Sequence, residues 1–213
     1  MNPKDLNLYI VDDDEPVRRA VGALLVARLS DCSVKTFDSG RSFLEGAKLD
    51  SSGVVLLDLR METEMSGLEV FAALKERGSP LVVVFMSGHG TLPVAVRALQ
   101  DGAVTWLEKP CTNDQLLAAV EAAKARAVGI ATARRDRHKA LERWKKLSPR
   151  LKQIAPLVAG GMTCKAIAKE IQRQDPADVI DHRTIENHRA KIFALLDVPN
   201  SNALQAFMRD NDL

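Results

Sequence analysis

The sequence predicts an open α/β domain on five parallel strands, followed by a smaller all-α domain. Three observations carry that expectation. The first half alternates short apolar runs with helix-like stretches, the order that yields a parallel sheet. Two of the runs, VVLL (54–57) and LVVVFM (81–86), are continuously apolar, as strands buried on both faces are. The last third breaks into short helix-like blocks.

Strands are expected near 6–11, 32–37, 53–58, 81–86 and 104–108. Helices are expected near 15–29, 39–48, 67–77, 91–100 and from 113 onward. That order with short loops gives a flavodoxin-like sheet. The last of these helices runs on. Positions 116, 120, 123, 127, 130, 134, 137, 141 and 144 follow a 4–3 spacing, a heptad trace. Arg134 and Arg137 interrupt it, and Gly129 lowers helix propensity. Residues 113–146 therefore read as one long helix or a helix–hinge–helix linker, with a dimer coiled coil and a solvated linker both open. Ser148-Pro149 is the next start signal, with Ser as N-cap and Pro at the first helical position. Blocks at 149–159, 164–173, 183–196 and 200–209 follow, with a GGMT turn at 160–163.

The chain of 213 residues suits one or two domains. Apolar content is ample for cores, but aromatics are only 4%, so the cores must rest on Val, Leu, Ile and Ala. No apolar run reaches the roughly 18 residues of a membrane span, and the MNPKDLNLY start is not signal-like. No membrane role and a cytoplasmic location are expected. Cys32, Cys111 and Cys164 have no metal spacing and read as reduced thiols. His89, His138, His182 and His188 form no ligand pair. The net charge of +2 hides an asymmetry: residues 1–120 hold 12 Lys and Arg against 17 acids, and residues 121–213 hold 18 against 11. A basic C-terminal part suggests a nucleic-acid partner, against the plainer alternative of a solvated basic face.

Charged and hydroxyl residues end the strands. Asp12 and Asp13 end the first, Asp58 the third, Ser87 the fourth and Lys109 the fifth. In an open parallel sheet the ligand site lies at the carboxyl ends of the strands, so these residues are expected to meet in one crevice. Crowded carboxylates repel unless a cation sits among them, and Mg²⁺ takes such oxygen ligands. Asp58, single at its strand end, suits a nucleophile that forms an aspartyl phosphate. The Asp12/Asp13 pair suits the metal cradle. Lys109 and Ser87 suit the phosphoryl oxygens. Taken singly, an aspartate run is more often a cap and Lys-Pro a turn; the four together in order argue for the site.

The segments YIVDDDEPVR, VVLLDLRM, MSGHG and WLEKP resemble the receiver domain of two-component response regulators, in the FixJ branch of the FixJ/NarL (LuxR-type) family. The resemblance implies phosphorylation of Asp58 by a sensor histidine kinase. It implies Mg²⁺ held by Asp13, Asp58 and the backbone carbonyl of Arg60, with Asp12 acting through water. Ser87 and Trp106 become the switch pair, and phosphorylation is expected to produce a homodimer.

In the C-terminal part, LSPRLKQIAPLVAGGMTCKAIAKEI and RTIENHRAKIFALL resemble the LuxR-type helix-turn-helix of the same regulators. Ile185, Ile192, Leu195 and Leu196 are expected inward. The family pattern implies that Thr184, Arg189 and Lys191 touch phosphates or bases of double-stranded DNA, while Glu186, Asn187 and Ala190 face the groove. His188 is expected to pack or cap inside the domain. Two departures stand out. Arg150-Leu151 replaces the usual Arg-Glu, and about seven extra residues lie in RQDPADVIDH, between the scaffold and recognition helices. Asp181 in that stretch suits a helix cap.

The expected organisation is a flavodoxin-like receiver domain (1–122), a long helical linker (123–147) and a helix-turn-helix domain (148–213). The expected function is a phosphorylation-dependent, DNA-binding transcription factor. The alternative is a receiver-controlled protein- or RNA-binding module. No second catalytic constellation appears, so no independent enzyme activity is expected. One loop departs from the relatives. METEMSG (61–67) lacks their proline and is one residue longer, with Glu62 and Glu64 beside the site. Extra carboxylates are expected to favour Mg²⁺ and shorten the life of a phosphoryl group.

Overall fold

The computed structural model describes residues 6–30, 32–62, 65–88 and 92–213, the side chains of Leu92 and Pro93 excepted. The chain divides into two compact units, 1–133 and 134–213.

In the first unit, β1 (Leu6–Val11), β2 (Cys32–Phe37), β3 (Gly53–Asp58), β4 (Val82–Ser87) and β5 (Thr105–Glu108) form one parallel sheet in the order β2-β1-β3-β4-β5. Helices α1 (Glu15–Arg28), α2 (Gly40–Gly46), α3 (Gly67–Glu76), α4 (Leu92–Gln100) and the start of α5 (Asn113–Lys145) connect or follow the strands. The expected strands and helices are all present, within about two residues at their ends.

The continuous apolar runs are buried from end to end in β3 and β4. Their alternate residues feed two cores, one per sheet face. Leu8, Ile10, Leu56 and Val84 pack with Leu25 of α1 and Val120 of α5; Val55, Leu57 and Phe85 pack with Phe43, Val70 and Leu74. Full burial of each such aliphatic side chain contributes roughly 1.5–3 kcal/mol, which compensates for the low aromatic content.

Local signals start the helices. Asp14 caps α1, with Pro16 in its first turn, and Ser66 and Glu69 form a reciprocal capping box on α3. Before α5, Gln115 N–H donates to Thr112 Oγ1, and Thr112 N–H donates to Gln115 Oε1.

Helix α5 is unbroken over 33 residues. Gly129 is tolerated because it lies on an exposed stretch with open space where a Cβ would be. Leu116, Val120, Ala123 and Ala127, which begin the 4–3 trace, are buried in the first unit's own core. That part of the trace is spent within the chain and not on a partner helix.

The second unit packs α6 (Pro149–Ala159), α7 (Cys164–Gln174), α8 (His182–Leu196) and α9 (Ser201–Asp210) around Ile154, Ile167, Ile171, Ile185, Ile192, Leu196 and Leu204. Trp144, near the end of α5, packs against this core. Ser148 caps α6 with Pro149 leading it, as the sequence predicts. The long turn 175–181 is ordered by its own acids. Asp178 takes two hydrogen bonds from Arg150, at 2.5 and 2.9 Å, and Asp181 caps α8 through Thr184 N–H.

Candidate functional site

The parallel register brings the ends of β1, β3, β4 and β5 together. Val11 pairs with Leu57, Asp58 with Met86, and Ser87 with Glu108, so the residues at or just past these positions line one edge. A cleft of about 800 Å³ opens there, lined by Asp13, Asp58, Met61, Glu62, Ser87 and Lys109 among others. Asp12 lies beneath it, fully buried.

Lys109 Nζ stands 2.7 Å from Asp12 Oδ2 and 3.3 Å from Asp58 Oδ2. The other oxygen of Asp12 accepts from Asp14 N–H at 3.0 Å, and its backbone carbonyl accepts from Arg18 Nη1 at 2.7 Å. Asp13 Oδ2 accepts from Glu62 N–H at 2.5 Å, which ties the β3–α3 loop to β1. Ser87 is buried at the end of β4, and its backbone carbonyl accepts from Lys109 N–H. The Lys109–Pro110 peptide is cis. Trp106 on β5 is half-buried, with its ring centroid 5.9 Å from that of Phe85.

Burial holds the Asp58 carboxyl above the usual carboxylate range. The Lys109 charge opposes that rise, Asp12 adds to it, and Arg60 N–H offsets part of it. Lys109 is pulled down by burial, but its hydrogen bond and ion pair with Asp12, and then Asp58, outweigh this and hold it above its ordinary value. One ammonium thus pairs with two of the three carboxylates, Asp12 and Asp58. Asp12, Asp13 and Asp58 each place an oxygen within 4.8 Å of the others. This all-oxygen, excess-negative donor set fits a small hard divalent cation.

Two neighbours were not singled out from the sequence. Gly67 begins α3 directly over Asp58: a Cβ there would lie 2.1 Å from the Asp58 carbonyl oxygen. Arg18 reaches back from α1 to the Asp12 carbonyl. The first had a signal, since Ser66-Gly67 opens a capped helix; no local pattern marks the second. In the β3–α3 loop the Glu62 residue is exposed, while Thr63 and Glu64 lie outside the described residues, as do His89 and Gly90 of the MSGHG segment.

In the second unit α8 presents the residues expected of a recognition helix. Ile185, Ile192 and Leu196 are buried and Leu195 packs on the core, while Glu186, Asn187, Ala190 and Lys191 are exposed. Thr184 is half-exposed, and the Arg189 guanidinium lies 5.3 Å from the centre of the Phe193 ring, which steers it along the helix. His188 is half-buried. Burial, then the charges of Arg150 and Lys191, hold its imidazole below the usual 6.5.

His188 has a consequence for pH. Below the unfolded value, the unfolded chain takes up a proton that the folded unit resists, so stability falls as pH drops through 6.5 and is retained above it. His188→Gln is expected to flatten that dependence. Denaturant titrations from pH 7.5 to 5 in a Trp106→Phe background, read by Trp144 fluorescence, check this. Parallel curves for the two chains would remove His188 as the cause.

Residues 8–121 match the family model described as the response regulator receiver domain. The chain is 37% identical over 185 residues to the tetrathionate response regulatory protein TtrR of Salmonella typhimurium, covering 87% of this chain and 83% of that one. It is 32% identical over 203 residues to the transcriptional regulatory protein FixJ of Bradyrhizobium diazoefficiens, covering 95% and 93%. Among solved structures, the response regulator StyR matches with a TM-score of 0.78 at 30% identity, covering 96% of this chain and 98% of that one. Full-length FixJ from B. japonicum matches with a TM-score of 0.53 at 30% identity, over 97% of both chains. No helix among the described residues is long and apolar enough to cross a membrane.

Proposed function

The chain belongs to the two-component response regulators, and on that premise we propose that it is a cytoplasmic, DNA-binding transcription factor switched by phosphorylation of Asp58. The observation that carries this reading is the convergence of Asp58 and Lys109 over Asp12 at a cleft that Asp13 also lines.

Asp13, Asp58 and the Arg60 carbonyl would hold Mg²⁺, with Asp12 acting through water. Bound there, the ion would offset charge on the oxygens of the transferring group, where catalysis of phosphoryl transfer mainly lies. The chain's own residues do the rest. An Asp58 carboxylate oxygen bonds to phosphorus as the bond to the imidazole nitrogen of a sensor histidine kinase breaks, and the released imidazole keeps the electron pair. Lys109, already 3.3 Å from Asp58, moves its charge to the new phosphoryl oxygens. Ser87 donates its hydroxyl to one of them, and Trp106 follows Ser87 as the second member of the switch.

We assign residues 1–122 to the receiver, 123–147 to the linker and 148–213 to the output domain. In the output domain Thr184, Arg189 and Lys191 contact phosphates or bases of double-stranded DNA, and Glu186, Asn187 and Ala190 face the groove. Two such domains on one duplex gain from effective concentration, so homodimerisation on phosphorylation raises affinity. Sedimentation with and without a phosphate mimic is expected to show a monomer becoming a dimer at micromolar concentration; a monomer in both states would remove that step. Band shifts with genomic fragments test the output. Steeply salt-dependent binding supports DNA recognition, and its absence turns the reading to a protein- or RNA-binding output.

A further inference from the structure

The charge of the second unit lies away from its helix-turn-helix. Residues 147–213, which contain α6 to α9, hold nine Lys and Arg against eight acids, a net of +1. Residues 134–146 hold seven against two, a net of +5. Five of the unit's six net positive charges therefore sit on the last turns of α5 and the residue after it. A module that binds duplex DNA draws sequence-independent affinity from phosphates neutralised by Lys and Arg, and α6 to α9 alone supply little net charge for it.

The geometry separates these cations into two sets. Arg137 pairs with Asp212, and Arg143 pairs with Asp197 at 3.1 Å and donates to the Leu196 carbonyl at 3.3 Å. Trp144 packs on the core of the unit, and these two arginines reach acids of the same unit at its surface. At 3.6 residues per turn, Arg135, His138 and Lys145 fall on the side away from these two, with Arg134 and Lys139 at its edges, about 60° from Arg137 and about 40° from Arg143, and all five are exposed. Arg135 has only its neighbour Asp136, at 3.9 Å, and Lys145 is paired with Glu142. Among the described residues, Arg134 and Lys139 have no acidic partner. Arg135 and Lys139 are four apart, a spacing at which like charges repel on a helix. A polyanion laid along this face would relieve that repulsion.

We propose that the outer face of α5 from Arg134 to Lys145 is a second DNA surface, which binds the phosphate backbone without reading sequence. It rests on the DNA-binding reading above and adds a division of labour. Helix α8 carries base-facing groups on a nearly neutral scaffold, and α5 carries the affinity.

The test uses the full chain, a phosphate mimic and a mixed-sequence DNA duplex, with binding followed by fluorescence anisotropy as salt is raised. The variant combines Arg134→Gln, Arg135→Gln and Lys139→Gln, all on exposed positions of a helix that Gln tolerates. A control removes the same charge from exposed positions of the first unit: Arg28→Gln, Lys35→Gln and Arg77→Gln. At about 0.9 per phosphate contact, the slope of log affinity against log salt is expected to become shallower by about 2.7 per protomer in the variant. Over a fourfold rise in salt the variant then loses about fortyfold less affinity than the unaltered chain. The control keeps the original slope. An unchanged slope in the variant, or an equal loss in the control, overturns the inference while DNA binding stands. An unaltered chain that fails to bind the duplex overturns both.

Discussion

Asp58→Asn is expected to take up no detectable phosphate from a kinase or from a small phosphodonor in Mg²⁺. The amide keeps the shape of the side chain and removes the nucleophilic oxygen charge. Folding is not expected to suffer. Burial, with Asp12 adding to it, holds the Asp58 carboxyl above its ordinary range, so the ionised group costs stability at neutral pH. The sign follows from linkage. With the folded value raised, the folded chain holds its proton more tightly, and stability falls as pH rises from the unfolded value through the folded one. An uncharged isostere does not carry that cost, and Lys109 retains Asp12 at 2.7 Å. The variant is therefore expected to melt at or above the temperature of the unaltered chain in metal-free buffer. Such an exchange of stability for activity is usual at sites that concentrate like charge. Undiminished labelling of the variant would move the acceptor to another residue.

Gly67→Ala is expected to damage both fold and site. The added Cβ would meet the Asp58 carbonyl oxygen at 2.1 Å, the Asp58 carbonyl carbon at 3.0 Å and the Leu59 Cα at 3.0 Å. All three are backbone, so no rotamer change relieves the clash. Either α3 withdraws from β3 or the end of β3 shifts. Withdrawal breaks the hydrogen bond from Gly67 N–H to the Leu59 carbonyl and strains the Ser66–Glu69 capping box. Overpacking of a rigid site costs about 1–3 kcal/mol and occasionally more, and the backbone nature of this contact places it at the upper end. A shift of β3 carries Asp58 with it, so phosphate uptake is expected to fall even in the folded fraction. Thermal melting and initial phosphorylation rates measure the two effects. A variant with normal melting and normal rates would show that the α3 start relaxes more freely than its packing indicates.

The site was readable in advance because of where its residues stand in the pattern. Asp12, Asp13, Asp58, Ser87 and Lys109 each follow an apolar run, and a parallel sheet collects the ends of such runs on one edge. Helix starts were readable for the same local reason. Ser148 and Asp181 each lie three residues before a backbone N–H that they cap. The heptad trace along α5 was read less far. A 4–3 spacing records that one face is apolar, and Leu116, Val120, Ala123 and Ala127 satisfy it against their own sheet.

The sequence by itself determined the order of strands and helices, their caps and the set of groups that end the strands. These depend on periodicities of two and 3.6 residues and on hydrogen bonds to neighbours three or four positions away. Tertiary structure alone decided the partners across larger gaps. Lys109 lies closer to Asp12 than to Asp58, Gly67 permits α3 to touch β3, and Arg150 finds Asp178 in the enlarged turn. It also gave Arg137 and Arg143 acidic partners in Asp212 and Asp197 and left Arg134 and Lys139 without one among the described residues, although all four read alike in a basic run. The physical reason is range. A cap or an apolar stripe is satisfied within one or two turns, whereas distances between charges 28 to 97 residues apart are set by sheet register and helix packing.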